Sequence, residues 1–140
     1  MSSEHLGRRI VITGVSRGLG LALAEGFIAA GHVVYGCARS SGAIALLAKR
    51  FGSPHGFEVV DVACDDSVRR WSERVLAAGP PPDLIVNNAG LINRNAPLWK
   101  ISAEEISQVI DVNINGVINV VRHFIPPLIR RRRGVIVNFT

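Results

Sequence analysis

The sequence predicts an α/β fold, a doubly wound parallel sheet with helices on both faces. Three observations lead there. Short runs rich in Val and Ile alternate with longer helical patterns, the order that builds βαβ units. Most of these runs lack a polar face, as strands covered on both sides do. The first run enters a glycine-rich turn, "TGVSRGLG", that opens a helical stretch.

Strand one is "RIVIT" (9–13), and the turn after it leads into a helical stretch at 18–30. Strand two, "HVVYGC" (32–37), precedes the stretch 42–51. Strand three, "HGFEVV" (55–60), precedes the stretch 65–78. "GPPPD" (79–83) reads as a short rigid loop into strand four, "DLIVN" (83–87), and strand five is "GVIVNF" (134–139). Strands one, two, four and five are apolar on both faces. Crossovers between such strands are right-handed. No repeat or linker interrupts the order, so residues 1–140 read as one domain.

The stretch 102–129 is the longest. Ser102 and Glu105 have capping-box spacing. Ile106, Val109, Ile110, Val117, Val120, Val121 and Phe124 line one face, and Ile114, Ile118, Ile125 and Leu128 widen it. A helix apolar over so much of its circumference is buried on more than one side. Burial in its own domain and a homo-oligomer interface both satisfy that. Pro126 and Pro127 are expected to end or kink it.

Composition narrows the class. Apolar content of 48% in 140 residues excludes a disordered chain. The net charge is +5, but four of the 16 basic residues form one run, Arg130–Arg133, at a helix end. Cations are favoured there by the helix dipole. No aromatics interleave with the run, so no nucleic-acid partner is expected. No apolar run reaches the ~18 residues of a membrane span, and the polar start "MSSEHLGRR" has no signal-peptide core. Cys37 and Cys64 match no metal or redox spacing. They read as core thiols of a reducing, cytoplasmic compartment, and no metal is expected.

Thr13-Gly14-x-x-x-Gly18-x-Gly20 sits between a strand and a helix. The first glycine permits a tight turn and the second lets backbone approach a pyrophosphate. The helix start then offers N–H groups and a positive dipole. A carboxylate at the end of strand two would accept from an adenosine ribose 2′-hydroxyl. Here "YGCARSSG" has none; Arg39 follows the strand and Arg17 lies in the turn. Two guanidiniums with no carboxylate suit a 2′-phosphate, which points to NADP(H).

"TGVSRGLG" together with "NNAG" (87–90) resembles the short-chain dehydrogenase/reductase family. "DV" (61–62), "DLIVNNAG" and the segment from "VIDVNINGV" to "GVIVNF" follow in the family's order along nearly the whole chain. The resemblance implies a Rossmann sheet of order 3-2-1-4-5. It implies hydride transfer between nicotinamide and a small alcohol or carbonyl substrate. It places Gly14, Ser16, Arg17, Gly18, Leu19 and Gly20 around the pyrophosphate and adenosine ribose, and Arg39 at the 2′-phosphate. Asp61 and Val62 would border the adenine, and Asn88, Ala89 and Gly90 the cofactor ribose, with Asn87 bracing the strands. Asn113 matches the asparagine of the family's catalytic group, which helps hold a water-linked proton path.

The family's chemistry also uses a serine and a Tyr-x-x-x-Lys pair. The one tyrosine here is Tyr35, and the lysines are Lys49 and Lys100, so no such pair exists. By the register of "GVIVNFT" the serine would follow Thr140. The chain is therefore expected to be the N-terminal part of a longer reductase, inactive by itself, with strand five an unprotected edge. A non-catalytic dinucleotide-binding or sensor protein is the alternative.

Overall fold

The computed structural model describes residues 7–139; the start of the chain up to Leu6, and Thr140, lie outside them. β1 (Arg9–Thr13), β2 (Val33–Ala38), β3 (Gly56–Val59), β4 (Leu84–Asn87) and β5 (Val135–Asn138) form one sheet, ordered β3-β2-β1-β4-β5. Every pairing is parallel. The helices are α1 (Gly18–Ala29), α2 (Ser41–Phe51), α3 (Asp65–Ala77), α4 (Ala103–Ile110) and α5 (Gly116–Arg131).

Alternation along β1 divides the core in two. Ile10 and Ile12 join Val34, Ile44, Leu47 and Phe57 in the layer under α1 and α2. Val11 points the other way, to Trp71, Val75, Val120 and Phe124 under α3 and α5. Trp71 and Phe124 are fully buried and meet edge to face at 5.2 Å, a favoured aromatic geometry.

The proline loop is held by carbonyls, since proline has no N–H to give. Arg131 donates to Pro81 O (2.8 Å) and Pro82 O (2.7 Å). Arg9 donates to Pro80 O and Val75 O, and to the Tyr35 hydroxyl at 2.8 Å. Arg131 is thus a structural clamp, beyond the helix-dipole role expected of the basic run.

Several expectations are corrected. The stretch 102–129 is α4, a π-helical turn at Asp111–Asn115, then α5 continuing past both prolines to Arg131. Its end is set by Arg132, left-handed at φ 57, with Arg133 N bonded to Leu128 O and Arg132 N to Ile129 O. This Schellman closure satisfies carbonyls that the prolines leave untouched. Ser102 Oγ accepts from Glu105 N at 3.2 Å, but the reciprocal half of the capping box is not made. The Glu105 carboxylate instead accepts from Arg94 N at 2.6 Å. Cys37 is buried as expected, whereas Cys64 is exposed, because it precedes α3 and stands clear of the core. β5, by contrast, is the apolar and largely exposed edge that was expected, since among the described residues only β4 pairs with it.

Candidate functional site

Strand order reverses between β1 and β4, so the chain leaves the sheet in opposite directions on either side of that boundary. A crevice opens at such a switch point beside the carboxyl ends of the strands. Here it is a cleft of about 790 Å³ lined from the ends of β1, β2, β3 and β4.

The turn after β1 forms its floor. Gly14 has φ +74, and a Cβ on it would lie 2.9 Å from Ala89 Cα. Gly14 N and Val15 N both donate to Cys37 O, at 2.8 and 3.1 Å, which folds the turn over the end of β2. α1 starts at Gly18, behind Arg17 in extended backbone. Unlike Ser40 on α2 and Ser102 on α4, Arg17 gives no side-chain cap to its helix. The first-turn N–H groups of α1 are therefore left for an outside acceptor. A Cβ on Gly18 would meet only open space, so the approach to them is clear. These features fit a pyrophosphate.

Thr13 ties the two halves of the switch point together. Its Oγ1 accepts from Asn88 N (3.0 Å) and Ala89 N (2.9 Å). Asn88 Nδ2 returns to Thr13 O (3.2 Å) and Gly14 O (3.1 Å). Both polar side chains are thus committed to holding the β1 and β4 exits side by side. Asn87 is buried, and its Nδ2 donates to Asn138 Oδ1 at 2.9 Å across to β5, the bracing role expected of it. Its Oδ1 has no partner among the described residues.

The remaining walls come from further along the chain. Arg17 and Arg39 line the same cleft and are both exposed. Asp61 Oδ1 accepts from Ala63 N at 3.0 Å, closing the turn that carries Val62. Asn113 lies in the π-helical turn, a form that recurs at functional sites. Its Oδ1 accepts from Leu91 N at 2.7 Å and its Nδ2 donates to Leu91 O at 2.8 Å. Burial and loss of hydration push the Cys37 thiol far above its ordinary value, so it stays protonated.

Of the residues expected at the site, Gly14, Ser16, Arg17, Gly18, Arg39, Asp61, Val62, Asn88, Ala89 and Gly90 line this cleft together. Leu19, Gly20 and Asn113 do not. Leu19 turns half its surface to solvent. Gly20 lies beneath the turn, where a Cβ would overlap the Gly14 carbonyl. Asn113 reaches the cleft through Leu91, which it holds by both backbone groups, and its Oδ1 lies close to Gly90. The lining adds Cys37, Ala38, Ser40, Ala43, Val60, Leu91 and Val112. Ser40 carried a signal, as the helix-capping serine next to Arg39; the apolar members carried none.

Known proteins resemble this chain in sequence and fold. The chain is 44% identical over 135 residues to the NADPH-dependent pterin aldehyde reductase of Arabidopsis thaliana, covering 95% of this chain and 56% of that one. It is 37% identical to the 3-oxoacyl-(acyl-carrier-protein) reductase FabG of Chlamydia muridarum, covering 100% of this chain and 58% of that one. The chain thus spans about half the length of the curated relatives it matches. A metagenomic short-chain oxidoreductase solved in complex with NADP superposes with a TM-score of 0.87 at 30% identity, over 95% of this chain and 62% of that one. The short chain dehydrogenase model matches residues 8–140, nearly all of the sequence, and by that match and this shared sheet order the chain belongs to the short-chain dehydrogenase family.

Proposed function

We propose that this chain is the dinucleotide-binding part, a single domain, of an NADP(H)-dependent oxidoreductase. The reaction is hydride transfer between the nicotinamide and a small alcohol or carbonyl substrate. One observation carries the reading: Arg17 and Arg39 stand on the same cleft as the pyrophosphate turn, and the end of β2 has no carboxylate. A 2′-phosphate gains two charge-assisted partners there, and nothing repels it. The NADPH-dependent relative and the NADP-bound neighbour support the same cofactor.

When bound, the cofactor supplies the hydride; the protein binds and orients it. The first-turn N–H groups of α1, including that of Leu19, face the pyrophosphate. Asp61 and Val62 border the adenine. Asn88, Ala89 and Gly90 flank the second ribose. Asn113 occupies the position of the family's catalytic asparagine and fixes Leu91 next to that segment. Tyr35 does not supply the family's acid/base. Its hydroxyl bonds Arg9, the first residue of β1, while the cleft lies beyond the last. Residues 1–140 alone are expected to reduce no carbonyl.

From α4 through the π-helical turn into α5, Ile106, Ile110, Ile114 and Ile118 recur every fourth residue and are exposed. Such a row suits isologous pairing with a second copy of the chain. No helix among the described residues is long and apolar enough to cross a membrane, and the two free cysteines suit a reducing cytoplasm.

Arg39→Asp tests the cofactor reading. Losing one charged contact and adding repulsion should weaken NADPH binding by about tenfold or more, while NADH binding strengthens. An unchanged NADPH affinity would contradict it.

A further inference from the structure

We infer that Asn119, on α5, is a positioning residue that sets the adenine wall of the cleft. The inference rests on the cofactor reading above. Asn119 is buried in α5, as are Val120 beside it and Phe124 five residues on. Its Nδ2 donates to Val62 O at 2.9 Å, across 57 residues of sequence. Val62 is itself buried and lines the cleft. A leucine at 119 would fill similar space but remove the donor, leaving a buried carbonyl without this partner.

A second contact acts on the same residue. Gly116 lies one turn before Asn119, and a Cβ there would stand 2.7 Å from Val62 Cγ2. The helix backbone therefore seats against the Val62 side chain while Asn119 holds its carbonyl. The turn at 61–64 otherwise closes mainly on itself. Ala63 N bonds Asp61 Oδ1, Cys64 N bonds Asp61 O, and Asp61 N bonds Ser67 Oγ. Those bonds shape the turn but do not fix it against the sheet. α5 supplies that, and one turn after Asn119, His123 and Arg122 reach Asp65 at the start of α3.

The same helical stretch thus grips both ends of the cleft. Asn113 holds Leu91 on the β4 side, and Asn119 holds Val62 on the β3 side. Removing the Asn119 grip frees the adenine wall without touching Arg17, Arg39 or the glycine turn.

The test uses the whole chain, with adenosine 2′,5′-bisphosphate as probe and amide hydrogen exchange as a second readout. Asn119→Leu is expected to weaken the probe about five- to tenfold, the scale of one lost hydrogen bond. Exchange at residues 61–64 should quicken while the slowest amides of β1 keep their protection. Gly116→Ala, which retains the donor and displaces Val62 from the other side, should give the same pattern and serves if Asn119→Leu does not fold. A residue with a merely structural role would lower β1 protection in step with 61–64. That result, or unchanged exchange at 61–64, overturns the positioning role. Wild-type chain that binds no probe overturns the cofactor reading and the adenine assignment with it, whatever the exchange shows.

Discussion

Thr13 joins the two sides of the cleft through one hydroxyl. One hydroxyl oxygen accepts two backbone N–H groups from the "NNAG" segment, 75 and 76 residues further along. Thr13→Val keeps the shape but leaves both donors without that acceptor. Each such loss costs about 1–3 kcal/mol, so chemical denaturation should show at least about 2 kcal/mol of lost stability, and Thr13→Ser should recover most of it. An unchanged unfolding midpoint would contradict this role. Much of the cleft was legible at this scale, because Gly14, Arg17, Gly18, Arg39, Asn88, Ala89 and Gly90 line it where their own local sequence places them. Thr13 stands in the glycine pattern and Asn119 in an apolar helix, and nothing near either in sequence marks its partner. Their partners lie 57 or more residues away, and only strand and helix adjacency brings them together.

The helices were legible by periodicity, and their bounds moved by a residue or two at most positions. The exception is the stretch 102–129. Periodicity does not distinguish an α turn from a π turn, and the two prolines suggested an end that Arg132 sets instead. Two predictions belong to this element. Asp65, at the start of α3, accepts from His123 Nε2 at 2.7 Å and pairs with Arg122 at 2.5 Å. The hydrogen bond from His123, foremost, holds its carboxyl below the ordinary 3.8. A depressed carboxylate stabilises the fold above its unfolded value and loses that contribution as pH falls through the folded one. Asp65→Asn should therefore be less stable than wild type at neutral pH, with the gap closing as pH falls through the folded carboxyl's lowered value and narrowed by salt. A gap that persists in acid would contradict the pairing. On the exposed row of the same stretch, Ile114→Glu with Ile118→Glu should convert a dimer or larger assembly to monomer in light scattering, without changing far-ultraviolet circular dichroism. An unaltered mass would place the interface elsewhere.

The molecule as a whole is a sheet whose order makes one crevice, and the crevice gathers residues from four strand ends. That the sheet is parallel was legible from alternating runs and helices. The order 3-2-1-4-5 came through the motif resemblance, since no pattern within a strand names its neighbour. The exposure of β5 was expected from the same order, in which β4 is its one partner among the described residues. At this scale the central claim is that the cleft selects a 2′-phosphorylated dinucleotide. Titration of the chain with NADPH and with NADH, followed by tryptophan fluorescence or calorimetry, tests it most directly. The predicted result is NADPH binding about tenfold or more tighter than NADH, the scale of a charged hydrogen bond from Arg17 or Arg39. Equal or tighter binding of NADH would contradict it.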